Sequence, residues 1–186
     1  MKKLTLALVA ALSISSAAFA QVPGANGQIK FTGTVTEKGC TIVAGNSAIV
    51  NLGAMPKAAL KNSKSAWSES QLKFVDCNLE LKDGAKEGAK RLESVQLTTN
   101  SGFNASFSSD LWANNGTAEG VGVEVEIASK IGMHKVTPAG ITTPLVADID
   151  PVNDSATYQV RGRMVGDKSV TAGSVESIIS FVASYR

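Results

Sequence analysis

The sequence predicts an all-β domain of the sandwich type. Three observations indicate this: short segments with an apolar residue at every second position, turn-forming dipeptides between them, and little helical patterning. Successive side chains of an extended chain point to opposite faces, so this alternation is the pattern of a half-buried strand. Many such segments, separated by turns rich in Gly, Asn and Asp, are typical of a β-sandwich.

Residues 1–20 have the pattern of a secretory signal peptide. Lys2 and Lys3 precede an apolar run that ends in Ala18-Phe19-Ala20, a small-residue cleavage motif. This run is too short and too rich in serine for a membrane-spanning helix, and no later segment is long enough to cross a bilayer. We therefore expect an exported protein whose mature chain begins at Gln21 and has 166 of the 186 residues.

The chain without its signal is electrically neutral. Two of the 18 Lys and Arg residues lie in the signal, which leaves 16 to balance the 16 Asp and Glu residues. A nucleic-acid-binding protein needs a basic patch, so the charge gives no support to nucleic acid as a partner. Near-zero net charge weakens self-repulsion and is compatible with dense assembly.

The mature chain has two cysteines, Cys40 and Cys77, which allow a single pairing. An even number of cysteines in an exported protein indicates a disulfide bond. In the chain-entropy model a loop of this length stabilises the fold by roughly 3–4 kcal/mol. The alternative is a pair of buried free thiols.

The mature chain begins with a segment that we expect to lack fixed structure, because residues 21–27 include one proline and two glycines. A second segment of alternating residues follows. Its apolar or small positions are Ile29, Phe31, Gly33 and Val35, and polar residues separate them. The period of two predicts a strand over this segment.

Five further segments have strand-like patterns, and turn chemistry separates them. The segments are Ala48–Leu52, Leu72–Cys77, Ser94–Thr98, Val121–Ile127 and Tyr158–Met164. The turns are Asp83-Gly84, Asn115-Gly116, Asp150-Pro151 and Gly166-Asp167. Only Met55–Leu60 has helical potential, and it is too short to form a helical layer.

The last segment alternates over the longest stretch. One face of the predicted strand carries Gly173, Val175, Ser177, Ile179, Phe181, Ala183 and Tyr185. The other face is more polar. A strand that runs to the final residue has no following strand to cover its edge, and natural proteins normally blunt free edges. We therefore expect another chain to fill this edge.

The residues give little support to an enzyme, a metal site or a cofactor. His134 is the only histidine, which excludes a metal site with two imidazoles, and no nucleophile motif accompanies it. No glycine-rich phosphate loop precedes a helix. Glu124 and Glu126 share one strand face, where a solvated polar surface is the ordinary explanation and a glycosidase pair the remote one.

At both ends the mature chain resembles the major subunits, or pilins, of chaperone–usher fimbriae of the type 1 pilus-like class of Gram-negative bacteria. Residues 26–35, with Cys40 after them, are similar to that family's N-terminal extension and its first disulfide cysteine. Gly33 stands where the family has a glycine among its alternating donor residues. Gly173, fourteenth from the end, and the penultimate Tyr185 are similar to the family's chaperone-recognition motif.

The resemblance implies an incomplete Ig-like β-sandwich over residues 37–186 that lacks its final strand, preceded by a donor-strand extension over residues 21–36. A periplasmic chaperone would first lend a strand to the open groove and hold the terminal carboxylate of Arg186. At an outer-membrane usher, the Ile29–Val35 segment of the next subunit would replace the chaperone strand, which is a form of strand addition. The groove edge would consist of Gly173, Val175, Ile179, Phe181, Ala183, Tyr185 and Arg186.

The chain would then be a structural subunit of a surface fimbria that supports adhesion, built as a homopolymer and without a cofactor. Two alternatives stay open: a minor or adaptor subunit of the same system, and a self-contained exported β-sandwich that binds a small ligand or is a hydrolase. In the last case both terminal segments would be ordinary strands of one closed sandwich. We expect Trp67 and Trp112 to lie in the core or line the groove, with a subunit interface as the alternative.

Overall fold

The computed structural model describes residues 39–43, 48–77 and 93–186. They fall within one compact unit, Thr36–Arg186. The predicted signal peptide (1–20), the predicted donor extension (21–36) and the Asp83-Gly84 turn lie outside the described residues. Within the described part, no helix has the length and apolar character needed to cross a membrane.

The described residues form eleven strands and one short helix. The strands are β1 (Thr41–Ile42), β2 (Ser68–Val75), β3 (Val95–Thr99), β4 (Asn104–Ala105), β5 (Ser108–Ala113), β6 (Val121–Ser129), β7 (Gly132–Val136), β8 (Ile141–Val146), β9 (Asp148–Asp150), β10 (Ser155–Gly166) and β11 (Phe181–Tyr185). The helix, α1 (Lys57–Leu60), begins directly after Pro56. The predicted all-β class is confirmed.

Two antiparallel sheets form the sandwich. The larger has eight strands in the order β1-β2-β10-β6-β5-β4, with β7 also paired to β6 and β9 to β10. The smaller has three strands in the order β11-β3-β8. Among the described strands, β11 and β8 are therefore the two edges of the smaller sheet.

The core lies between the sheets, because each contributes its alternating apolar face. Phe74 and Tyr158 of the larger sheet and Val95 and Leu97 of the smaller are fully buried. The rings of Phe74 and Tyr158 meet edge to face with their centroids 6.1 Å apart. Each large side chain buried in this way contributes roughly 1.5–3 kcal/mol.

The hydroxyl of Tyr158 connects the two sheets. It lies 2.9 Å from the carbonyl oxygen of Val95 in β3 and 2.8 Å from that of Leu145 in β8, and it donates its proton to these acceptors. Burial raises the pKa of this hydroxyl, so it stays a neutral donor. A polar atom in the core is thus satisfied, as buried polar groups normally are.

A disulfide joins Cys40 to Cys77, with an S–S distance of 2.08 Å, as the cysteine count predicts. Cys40 directly precedes β1 and Cys77 follows β2, and these two strands pair with each other. The bond therefore anchors the short strand β1 at the edge of the larger sheet. Cys77 is completely buried in the core.

Four of the predicted strand segments are confirmed as β2, β3, β6 and β10. The prediction for Ala48–Leu52 is wrong: this stretch forms no ladder. The prediction for Gly173–Tyr185 is correct only at its end, since the ladder begins at Phe181. In both segments buried and exposed side chains alternate as in a strand. Neither segment is paired along its whole length with a strand of the described chain.

The two tryptophans have different surroundings. Trp112 is buried in the core, where its indole N–H donates to the carbonyl oxygen of Val136 at 2.7 Å. For Trp67 the core prediction is wrong. This half-buried ring lies against the guanidinium groups of Arg161 and Arg163, at 4.6 and 4.1 Å from the ring centroid. Because these arginines alternate with the buried Gly162 and Met164, Trp67 covers the outer face of the larger sheet.

Candidate functional site

An open groove of about 1520 Å³ runs along the apolar interior. Its floor consists of aliphatic side chains from both sheets. The floor residues include Leu72, Leu97, Val121, Val123, Val125, Ile127, Val160 and Met164. A closed sandwich would cover these side chains with its own strand. In the part of the chain that the structure describes, two segments without a common ladder border the groove instead.

The first rim of the groove is the segment from Gly173 to Tyr185. Burial alternates strictly along it: from Val175 to Tyr185 the odd-numbered side chains are half-buried and the even-numbered ones are exposed. The predicted groove residues Val175, Ile179, Phe181, Ala183 and Tyr185 all line the groove. The alternation thus extends well beyond the five-residue ladder of β11.

The backbone of this rim turns one set of hydrogen-bonding groups toward β3. Asn100 donates to the carbonyl oxygen of Ser180 at 3.0 Å, and Arg186 and Ser94 exchange hydrogen bonds of 3.0 and 2.9 Å. In an antiparallel strand, consecutive residues send their N–H and C=O groups to opposite sides. The even-numbered residues from Ser180 to Arg186 therefore pair with β3, whereas Ser174 and Glu176 bond to the turn over residues 114–118. The odd-numbered residues turn their groups to the other edge.

That other edge faces the groove and has no strand partner among the described residues. From Val175 to Tyr185 it spans about 33 Å, at about 3.3 Å per residue. The odd-numbered residues thus direct their side chains toward the groove, and their backbone groups have no strand partner in the described part of the chain. This combination provides what an incoming strand needs: pockets for side chains and a row of main-chain donors and acceptors.

The second rim is the segment from Ala48 to Leu52. Ala48, Val50 and Leu52 are half-buried and line the groove, whereas Ile49 and Asn51 are exposed. The floor residue Gly162 lies beneath this rim, since a Cβ at Gly162 would come within 3.3 Å of Leu52 Cδ2. The pattern has the period of a strand, and no strand of the described chain pairs with it.

The upstream half of the first rim is held by the turn over residues 114–118. The side-chain oxygen of Asn114 accepts from the backbone N–H groups of Gly116 and Glu176, both at 2.8 Å. Its amide nitrogen donates to the carbonyl oxygens of Ala118 at 2.7 Å and Ser174 at 3.3 Å. Sequence reasoning did not single out Asn114, because nothing in its neighbours indicates a partner 60 residues away.

Gly173 has a role within its own chain. A Cβ at this position would lie 2.7 Å from the backbone carbon of Thr117 and would also collide with the N–H of Ala118. Gly116 likewise leaves no room for a side chain against Ser174. Both glycines allow close backbone approach between the turn and the rim. Gly173 lines the groove, whereas Arg186 is exposed and pairs through its backbone with Ser94.

One end of the groove has its own small apolar cluster. Leu60 of α1, Ala118, Val121 and Met164 are buried together, and Met55, Val170 and Val175 pack against them. The apolar interior thus reaches the upstream half of the first rim. A strand that filled the whole groove would contact this cluster as well as the main core.

Comparisons with known proteins agree with this architecture. A family model described as "Fimbrial protein" matches residues 29–186. No curated protein matches the chain closely enough to count as a relative.

Solved structures share the fold. One is the structure of a chaperone–usher pilus, described as revealing the molecular basis of rod uncoiling. It is 18% identical in sequence and has a TM-score of 0.58, and the match covers 89% of this chain and 98% of the other. Another is the P pilus rod subunit PapA, also 18% identical, with a TM-score of 0.54, covering 79% of this chain and 99% of the other.

Proposed function

Since this chain belongs to the family of fimbrial proteins, we propose that it is a pilin of the chaperone–usher type that polymerises by donating a strand to the groove of a neighbouring copy. The open groove is the observation that carries this proposal. Its floor is apolar, and one rim presents a row of backbone groups without a strand partner in the described chain. A strand edge without a partner is a liability that proteins normally cover.

The predicted donor extension has the properties that such a groove requires. In an extended chain, Ile29, Phe31 and Val35 would lie on one face, and polar residues stand between them in the sequence. Burial of each contributes roughly 1.5–3 kcal/mol, and the ladder hydrogen bonds add to this. The free edge from Val175 to Tyr185 is eleven residues long, and the extension over residues 21–36 is long enough to span it.

Donation from one copy to the next gives a fibre without a closed ring. The donating segment and the accepting groove are different surfaces of the same chain, and such heterologous contacts extend indefinitely unless a rotation closes them. Before assembly, a periplasmic chaperone would cover the groove, and an outer-membrane usher would exchange its strand for the donor. The product is a fimbria on the cell surface that supports adhesion.

A charge at one donor position tests this function. Phe31→Glu would place a carboxylate on the apolar floor, where its desolvation is unfavourable, and we expect it to abolish fibres while the chaperone-bound subunit still accumulates. Thr32→Glu is the matched control, because its side chain would point away from the groove, and fibres should form. Electron microscopy of cells and fractionation of the periplasm measure both. Normal fibres from Phe31→Glu would contradict the proposal.

The abundance of the chain in purified fibres separates a major from a minor subunit. We propose the major, structural role, and we expect the chain to be the predominant protein by mass spectrometry of sheared fibres. A minority share would instead indicate an adaptor of the same fibre.

A further inference from the structure

The upstream half of the first rim receives its geometry from outside the small sheet. The ladder of β11 with β3 begins at Phe181, so none of the described strands runs continuously beside residues 173–179. Val175, Ser177 and Ile179 nevertheless stay half-buried and line the groove, as in a regular strand. A peptide segment without a ladder has many accessible conformations, and fixing each residue costs about 1–2 kcal/mol. Something must hold this half extended.

Two backbone hydrogen bonds join the turn to this half, with Asn115 N–H donating to Glu176 C=O at 2.7 Å and Ala118 N–H donating to Ser174 C=O at 3.0 Å. The side chain of Asn114 acts beside them. It makes two hydrogen bonds to the rim, accepting from Glu176 N–H and donating to Ser174 C=O. It makes two more to its own turn, at Gly116 and Ala118. One amide group therefore bonds to both the turn and the rim, in addition to the backbone hydrogen bonds between them.

The turn that carries Asn114 is itself anchored in the larger sheet. Ala113, the preceding residue, pairs with Gly122 of β6 and donates to the carbonyl oxygen of Phe103. Thr117 adds a second contact, since its hydroxyl accepts from Ser174 N–H at 2.9 Å and lies 3.2 Å from the Ser174 hydroxyl. The upstream rim is thus tied to the opposite sheet rather than to its own.

We propose that Asn114 is a positioning residue for strand uptake: it holds residues 173–177 in the extended form that an incoming strand pairs with. This inference rests on the proposed function and adds to it. A rim that is already extended does not need to be ordered when the strand arrives, and such preorganisation improves affinity by removing that cost. Asn114 should therefore affect the affinity only through the end of the bound strand that lies beside residues 173–177.

The test is a double-mutant cycle between a fluorescent peptide of residues 26–36 and the full exported chain with Phe31→Glu, whose copies leave one another's grooves empty. This Phe31→Glu form is the unchanged chain of the comparison. The peptide is used in its parent form and with Ile29→Ala or Val35→Ala, which weaken one end each. The chain is used unchanged, as Asn114→Ala, and as Asn100→Ala, a control whose exposed side chain lies beside the β11 half of the rim. Fluorescence anisotropy gives the affinities, and thermal melting shows that each variant is folded.

We expect Asn114→Ala to weaken the parent peptide about tenfold, within the range of coupling between contacting groups. In the Asn114→Ala chain, one of the two peptide substitutions should reduce the affinity by less than it does in the unchanged chain, and the other should reduce it by the same factor. The substitution with the smaller effect marks the end of the peptide that lies beside residues 173–177, which gives the direction of the bound strand. Should Asn114→Ala not fold, Thr117→Val is expected to give the same pattern at about threefold.

The inference would be overturned if each peptide substitution reduced the affinity by the same factor in the Asn114→Ala chain as in the unchanged chain. Asn114 would then act on stability alone. The same selective change in Asn100→Ala would overturn it as well. If the parent peptide does not bind the unchanged chain at all, the proposed function fails, and this inference with it. Binding of the parent peptide with no selective change leaves the function standing and rejects only the role of Asn114.

Discussion

Glu124 is a buried carboxylate that two cations keep ionised. It is 7% exposed, and its oxygen lies 2.6 Å from Arg163 Nε and 3.0 Å from Lys64 Nζ. Burial alone would raise the pKa of this carboxyl group, but the hydrogen bonds from Arg163 and Lys64 outweigh it and lower the pKa below its usual value. The predicted solvated face is therefore wrong for Glu124, because sequence spacing cannot show that Arg163 and Lys64 pair with it.

The charge of Glu124 makes stability depend on pH. A carboxyl group whose pKa is lower in the folded state stabilises the fold above its unfolded value, near 4.5, and this contribution is lost as the pH falls through the folded value. We expect Glu124→Gln to lower the free energy of unfolding by about 1–3 kcal/mol at pH 7. The difference from the parent chain should shrink at pH 3. Urea titrations at both pH values measure it, and a difference that does not change with pH would contradict this explanation.

At the scale of elements, the sequence predicts strands well where they alternate and are paired. β6 and β10 carry clean alternation and lie at the centre of the larger sheet, so pattern and pairing agree. The sequence does not predict β5, β7 and β8, because their segments mix polar and apolar residues on both faces. In β8, Pro144 also has low strand propensity. Their pairing is decided by neighbours distant in sequence.

The candidate site was predictable in part for the same reason. The alternation from Gly173 to Tyr185 indicates the first rim, since side-chain period is a local property. The second rim, Ala48–Leu52, has the same period but no ladder, and the period alone cannot distinguish a paired strand from an unpaired one. Asn114 could not be found at all, because its partners Ser174 and Glu176 approach it only in the folded sheet.

The contact between the turn and the first rim depends on Gly173. Gly173→Val would press a branched side chain against the backbone of Thr117 and Ala118. We expect the free energy of unfolding to fall by about 1–3 kcal/mol, the usual cost of overpacking. Denaturant unfolding measures this loss. Ser177→Val is the matched control, because its side chain faces the open groove, and a loss as large as that of Gly173→Val would contradict the steric explanation.

At the scale of the whole molecule, the groove is a property of two sheets together. The alternating segments indicate which faces are apolar, but not that a groove lined by residues such as Leu97 and Val160 runs between rims that share no ladder among the described strands. Global arrangement of this kind depends on which strand pairs with which. We propose that another copy of the chain, through its Ile29–Val35 segment, completes this interior.

Photo-crosslinking between labelled copies tests that claim most directly. Copies with p-benzoylphenylalanine in place of Phe31 are assembled with an equal amount of ¹⁵N-labelled unchanged chain, then irradiated and digested. We expect mass spectrometry to find the unlabelled residue-31 peptide joined to ¹⁵N-labelled peptides from the groove, above all from Val175–Tyr185. Crosslinks into the groove that join only unlabelled peptides would show that the segment fills the interior of its own molecule, and would contradict the account.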